Sequence, residues 1–144
     1  MGTEVGSEKA SLLKRGMARV VDLLVAWALA LFIPPVGIIL GLVYLGVADG
    51  LQRGQSLGKM VFGLDVIKKD GHPCDLHSSL YRNLPFLFLF LFASIPVLGW
   101  ILLVIVGLPL VIIETWLVIV DERGERLGDR IADTHVIEGR PGIG

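Results

Sequence analysis

Two long stretches contain no Asp, Glu, Lys or Arg: residues 23–48, a run of 26, and residues 83–113, a run of 31. About 20 helical residues cross the ~30 Å hydrocarbon core of a bilayer, so apolar runs above ~18 residues are candidate membrane spans. Each run is too long for one ordinary span and just long enough for two. Of the 144 residues 53% are hydrophobic and 19% charged, and the mean hydropathy is +0.73, which excludes a soluble globular domain. The same composition excludes a fibrous or disordered chain.

Each run carries a helix breaker near its middle, Ile33-Pro34-Pro35-Val36-Gly37 in the first and Ile95-Pro96-Val97-Leu98-Gly99 in the second. Proline removes a backbone donor and disfavours helix in the residue before it, so both are natural hairpin turns. Four helices follow, at about 12–33, 37–52, 78–95 and 100–121, and the alternative is two long kinked helices. Ala28-Leu29-Ala30 resembles a signal-peptide cleavage site. Asp22 interrupts the start of that run, however, and apolar sequence continues to Ala48, so the segment is read as a retained helix. Cys74 is the single cysteine, so no intrachain disulfide forms.

Charge placement favours the hairpins. The 13 Lys and Arg residues lie before the first run, between the runs or after the second, and neither proline turn holds any. Positive residues mark cytoplasmic loops. Four crossings therefore put both termini and the middle loop, about 53–77, in the cytoplasm at the plasma (inner) membrane. Against 14 Asp and Glu the net charge is −1, which argues against a nucleic-acid partner.

An internal repeat accompanies this plan. Residues 54–67 align without gaps on residues 124–137, a shift of 70, matching Gly54, Leu57, Gly58, Val66 and Ile67 to Gly124, Leu127, Gly128, Val136 and Ile137. Upstream, Ser11, Leu13 and Arg15 resemble Ser78, Leu80 and Arg82, and the two proline turns correspond. Repeat 1 spans about 11–67 and repeat 2 about 78–137, within one membrane domain over 1–144 with mobile tails at 1–8 and 139–144. Both repeats start on the same side, so the repeat is parallel, with its pseudo-twofold axis along the membrane normal and any site between the halves. The fold class is thus an all-α membrane protein of two repeated helical hairpins. A small cytoplasmic β element pairs Leu64-Asp65-Val66-Ile67, followed by the Asp70-Gly71 turn signal, with Thr134-His135-Val136-Ile137.

The candidate chemistry is carried by charges at membrane depth. Arg15, Arg19 and Asp22 share one helical stripe, with Asp22 about 10 Å deeper than Arg15. An ionised Asp there costs several kcal/mol unless it is paired or wetted. It is either half of a structural Arg19–Asp22 pair or a cation or proton site. Glu114 is a second acid inside an apolar run, able to oppose Asp22 as a carboxylate pair, to lie in a groove or to pair with an arginine. Asp49, nearer the interface, reads as a cap or ion-pair partner. Asp129 reads as a helix cap or as the partner of a basic residue from the first helix. Gly54 to Lys59 lacks the Walker A pattern, so nucleotide binding is not expected. His72, Cys74 and His77 are three soft-metal ligands in six residues, but a structural zinc site needs four at other spacings, and no metal or other cofactor is expected. Phe86, Phe88, Phe90 and Phe92 give a helix lined with phenylalanine on all sides, which reads as lipid-facing rather than as a ligand box.

These motifs resemble the RDD family of small multi-spanning membrane proteins, named for one arginine and two aspartates. Arg15 and Asp22 stand at the spacing of its first-helix pair. Gly54-Gln55-Ser56-Leu57-Gly58-Lys59 resembles its G-G-Q-T-L-G-K-like loop, Arg82-Asn83 its R-N pair at the third helix, and Arg126-Leu127-Gly128-Asp129 through Ala132, Thr134 and Val136 its closing motif. Arg53 stands where the family has the first of two glycines, and Asp133 where it often has glycine. The resemblance implies transport of an unknown ligand, with sodium/proton antiport linked to some members. On that reading Asp22 carries the ion or proton, Arg15 and Asp129 form a gate or latch, and Glu114 assists. Four helices enclose little polar volume, so a path through them calls for a homo-oligomer. The second reading is a non-transporting assembly or accessory subunit of a membrane complex, with the same charges as a structural ion-pair cluster. No Ser/His/Asp arrangement or phosphate loop points to an enzyme.

Overall fold

The computed structural model describes residues 10–32, 34–52 and 54–138, so the readings that fall on the two tails, Ile33 and Arg53 lie outside the described residues. The element order is α1 (Leu12–Phe32), α2 (Val36–Val47) with a 3-10 turn (Ala48–Gly50), α3 (Leu57–Phe62), β1 (Leu64–Lys68), α4 (Leu76–Ala93), α5 (Leu98–Leu102), α6 (Leu108–Val120), α7 (Leu127–Ile131) and β2 (Thr134–Glu138). A π-helical segment, Leu103–Gly107, joins α5 to α6, and together they form one apolar helix, Leu98–Val120, of 23 residues. It is the one helix among the described residues that is both long and apolar enough to cross a membrane. Residues 36–50 form a shorter apolar helix, and the charges within α1 and the polar first half of α4 keep both below that standard.

The chain reverses at both proline sites, so the long helices are hairpins rather than two kinked rods. α1 has no glycine or proline from Met17 to its end, and Pro34-Pro35 follow it. Its buried stripe is Ala18, Asp22, Ala26 and Ala30, each four residues after the last. α2 lies directly on this stripe: a Cβ added at Gly41 would stand 2.7 Å from the Ala26 carbonyl oxygen. Small residues let membrane helices approach this closely. α4 starts where the Asp75 carboxylate accepts the Ser78 N–H at 2.7 Å, two residues before the expected start, because the cap is in the polar loop and not in the apolar run. The phenylalanine reading needs correction. Phe90 is buried with Ala26, Ala30 and Leu45 and lies 5.2 Å from the Trp27 ring, while Phe88 alone of the four is exposed. α4 is a central helix, so one of its faces must be core.

The strands form a two-stranded antiparallel sheet with Leu64 opposite Glu138, Val66 opposite Val136 and Lys68 opposite Thr134. Val66 and Val136 are the residues matched by the 70-residue shift, so the register is the one a twofold relation between the aligned segments requires. Leu64, Val66 and Val136 make a second small core with Ala10, Ala18 and Cys74, which ties the sheet to the start of α1.

Candidate functional site

The polar site occupies the end of the helix bundle that carries the sheet, and two short helices build it. α3 is capped by Ser56, whose Oγ accepts the Lys59 N–H at 3.3 Å, and it lies so close to α1 that a Cβ at Gly58 would stand 2.0 Å from the Ala18 carbonyl oxygen. α7 repeats the arrangement on α4, where a Cβ at Gly128 would stand 2.0 Å from the Arg82 carbonyl oxygen. The second glycine of each G-x-x-L-G segment is therefore a contact point, and the leucine beside it, Leu57 or Leu127, faces outward. The first glycines, Gly54 and Gly124, have φ of 93° and 65°, a left-handed turn that favours glycine.

Asp22 is met by the start of α3. Its carboxylate accepts Ser56 Oγ–H at 2.6 Å, the Gly58 N–H at 2.8 Å and the Tyr44 O–H at 2.8 Å, and the residue is 1% exposed. The expected Arg19–Asp22 pair is not formed. Arg19 donates to Asn83 Oδ1 at 3.0 Å and lies 4.3 Å from the centre of the Phe86 ring. Nor do Asp22 and Glu114 make a carboxylate pair: Asp22 is held by α3, whereas the Gly128 N–H of α7 is directed at Glu114. Three neutral donors, two at the N-terminus of α3 and one from Tyr44 of α2, hold Asp22 without an arginine.

Asp129 and Asp49 are the two centres of the charge network. Asp129 draws Arg82 at 2.7 Å, Arg15 at 3.1 Å and Arg126 at 3.4 Å, and it accepts the Arg126 N–H at 3.2 Å, so it caps its own helix as well as binding the first helix. Arg15 also donates to the Gly124 carbonyl at 2.6 Å. Asp49 pairs with Lys59, takes Arg82 Nε at 3.3 Å and accepts Asn83 Nδ2–H at 3.2 Å, while its N–H donates to Ser79 Oγ at 3.1 Å. Arg82, with a side chain 0% exposed, thus bridges both aspartates. It is held by charge more than by aligned hydrogen bonds, none of its nitrogens meeting hydrogen-bond geometry. Burial works to raise the Asp129 carboxyl, but Arg82, Arg126 and Arg15 more than offset it and hold it well below the usual carboxylate range. Burial pushes Lys59 down to about 7 against the pull of Asp49.

The remaining motif residues are peripheral. Gln55 donates to Asp65 on β1, and Thr134 is buried at the start of β2 with no hydrogen bond to its hydroxyl among the described residues. His72 is bonded to Asp70, Cys74 is buried with its thiol pushed up to about 11 by desolvation, and His77 packs edge-on to Tyr81 at 4.7 Å. No group of three potential metal ligands gathers among the described residues. Asp49 is the ion-pair partner its sequence position suggests, with Lys59 and Arg82. Sequence reasoning did not single out Tyr44, Ser56 or Ser79, and Ser56 could have been found as the polar residue before a short helix. Tyr44 is one polar side chain inside an apolar run and gave no signal.

A cleft of about 320 Å³ opens beside this network between α1, α4 and α6, lined at one end by Arg15, Arg19, Arg126 and Glu114 and elsewhere by apolar side chains such as Leu110 and Val111. The family model for the RDD family matches residues 33–133. No curated protein and no solved structure matches the chain.

Proposed function

The chain belongs to the RDD family of small membrane proteins, and on that premise we propose that it is a non-transporting assembly subunit in which the arginine–aspartate network latches two membrane hairpins together. The observation that carries this is Asp129: fully buried, it gathers arginines from α1, α4 and its own helix, which leaves the charges locked rather than mobile. Asp22 supports the same reading, since its carboxylate accepts from three protein donors and the residue is 1% exposed.

In this reading all four long helices cross the bilayer, as two halves of a parallel repeat, with the termini and the middle segment cytoplasmic. The network, α3, α7 and the sheet all belong to the end that would face the cytoplasm. The outward Leu57, Met60 and Val61 of α3 and Leu127 and Ile131 of α7 suit helices lying in the interface. The subunit works as a homo-oligomer or within a membrane complex. Transport of a small cation or a proton-coupled solute, including sodium/proton exchange, is the second reading. It is favoured by Glu114, which is 5% exposed, lines the cleft and has one oxygen, Oε1, without a partner among the described residues.

Proteoliposome flux measured beside thermal unfolding separates the two. The expected result is no sodium- or proton-dependent flux above empty vesicles, with Asp22→Asn lowering the unfolding temperature. Flux that Asp22→Asn or Glu114→Gln abolishes in a folded protein would establish transport instead. Accessibility of single cysteines placed at Pro34 and Pro96 in a Cys74→Ala background tests the topology: both should label from outside.

A further inference from the structure

The cleft beside the latch continues into a second, almost wholly apolar depression. The two share Leu89 and Val111, and the second reaches Leu103 and Gly107. From Glu114 to Leu103 the groove runs along about 16 Å of helix at 1.5 Å per residue. One end is charged and the other end is hydrocarbon-like, which is the pattern of an amphiphile and not of a soluble ion.

The charged end narrows the chemistry. Arg19 uses Nη2 on Asn83 and Arg126 uses Nε on Asp129, and both residues line the cleft with their guanidinium groups against the Phe86 ring. Guanidinium forks suit a phosphate. Glu114 makes no ion pair among the described residues, and although the Gly128 N–H is directed at its carboxylate, the buried Oε1 has no hydrogen-bond partner among them. An unpartnered buried carboxylate oxygen calls for a donor from a ligand, and a cation serves it best. A headgroup that carries a phosphate and a primary ammonium a few bonds apart answers both needs. We propose that this groove binds a phosphoethanolamine lipid, its phosphate on Arg19 and Arg126, its ammonium on Glu114, and one acyl chain along Leu89, Val111 and Leu103. The inference uses the membrane setting and does not depend on whether the protein transports.

Binding of three lipids with identical acyl chains to the detergent-purified full chain, read by native mass spectrometry, tests it. The phosphoethanolamine lipid should bind about tenfold more tightly than phosphocholine, whose quaternary ammonium cannot donate to Glu114, and than phosphoglycerol, which has no cation. Glu114→Gln should erase that preference while all three still bind. Val111→Trp, at an exposed position that does not risk the fold, should weaken all three by filling the chain groove. Free phosphoethanolamine without chains should not bind in the same range. Equal binding of the three lipids by the wild type, a preference that survives Glu114→Gln, tightest binding of phosphoglycerol, or affinities unmoved by Val111→Trp would each overturn the assignment.

Discussion

Between α1 and α2 the close approaches meet backbone. A Cβ at Gly37 would stand 2.2 Å from the Leu29 carbonyl oxygen, and one at Gly41 would stand 2.7 Å from that of Ala26. Between α4 and the α5–α6 helix a backbone approach occurs beside the turn, where a Cβ added at Gly99 would stand 1.8 Å from the Phe92 carbonyl oxygen. Farther along, a Cβ added at Gly107 would meet side chains alone, the tip of Leu89 at 2.7 Å and of Leu103 at 3.2 Å. Backbone does not yield and a leucine methyl does. The first hairpin is therefore a fixed unit. In the second, α4 is bound into the latch through Arg82 and Asn83, while the apolar helix after it has just 17% of its most hydrophobic window buried. Similar sequence segments thus sit in unlike settings, one beside a hairpin closed backbone to backbone and the other after a helix that is largely exposed beside the cleft.

The comparison breaks most readily at the latch, because α4 is the member of the second hairpin fixed to the first. Asp129→Ala leaves Arg82 and Arg15 buried without a shared partner. Removing one side of a buried charge cluster costs about 3–5 kcal/mol, against under ~1 for an exposed pair such as Lys14–Glu138. Thermal unfolding in detergent should show a large loss for Asp129→Ala and little for Glu138→Gln. Equal small losses would mean that the network is ornamental and that the hairpins hold by packing alone.

Glycine replacements read the two halves directly. Gly58→Ala drives a methyl into the Ala18 carbonyl and should cost about 3 kcal/mol or prevent folding, since overpacking against backbone has no outlet. Gly107→Ala presses on Leu89, which can change rotamer into the adjoining groove, and should cost less than about 1 kcal/mol. Unfolding temperatures of the two variants, measured side by side, carry the test. A reversed order would show that the second hairpin is the tighter one.

Acid sharpens the same contrast. The Asp129 carboxyl is held below its ordinary value of 3.8, so its stabilising contribution is complete above that pH and is lost as pH falls below it. Unfolding temperature should fall on titration from pH 5 to 2, by an amount worth about 2 kcal/mol for this carboxylate. Asp129→Asn, less stable throughout, should show a flatter profile. An unchanged slope would move the acid sensitivity to another group.

Much of the scaffold was legible before any geometry. Charge-free runs and proline turns fix four long helices within two or three residues, because apolar length and prolines mark helices and their breaks, while the Asp75 cap accounts for the earlier start of α4. The 70-residue shift anticipates the pairing of Val66 with Val136. The wiring of the charges was less legible. Asp22 and Arg19 stand one turn apart on α1, and helical spacing says they can meet, yet Asp22 is taken by the N-terminus of α3 and Arg19 by Asn83 of α4. Spacing reports partners on the same helix. It is silent about a helix end brought in by a close glycine contact, and Gly58 and Gly128 decide that here.

The smallest effect is expected at Trp116. Its residue is 64% exposed on α6, on the side away from the cleft that Val111 and Glu114 line. Trp27, in the first hairpin, packs instead against Phe90. If the outer side of α6 faces lipid, Trp116→Ala removes contacts with detergent or acyl chains alone, and stability should stay within about 0.5 kcal/mol of wild type. Size in detergent should also be unchanged, as read by light scattering. A loss of several degrees in unfolding temperature, or a drop in assembly size, would show that protein covers this face. The open second hairpin would then be a packed one whose partner had not yet been supplied.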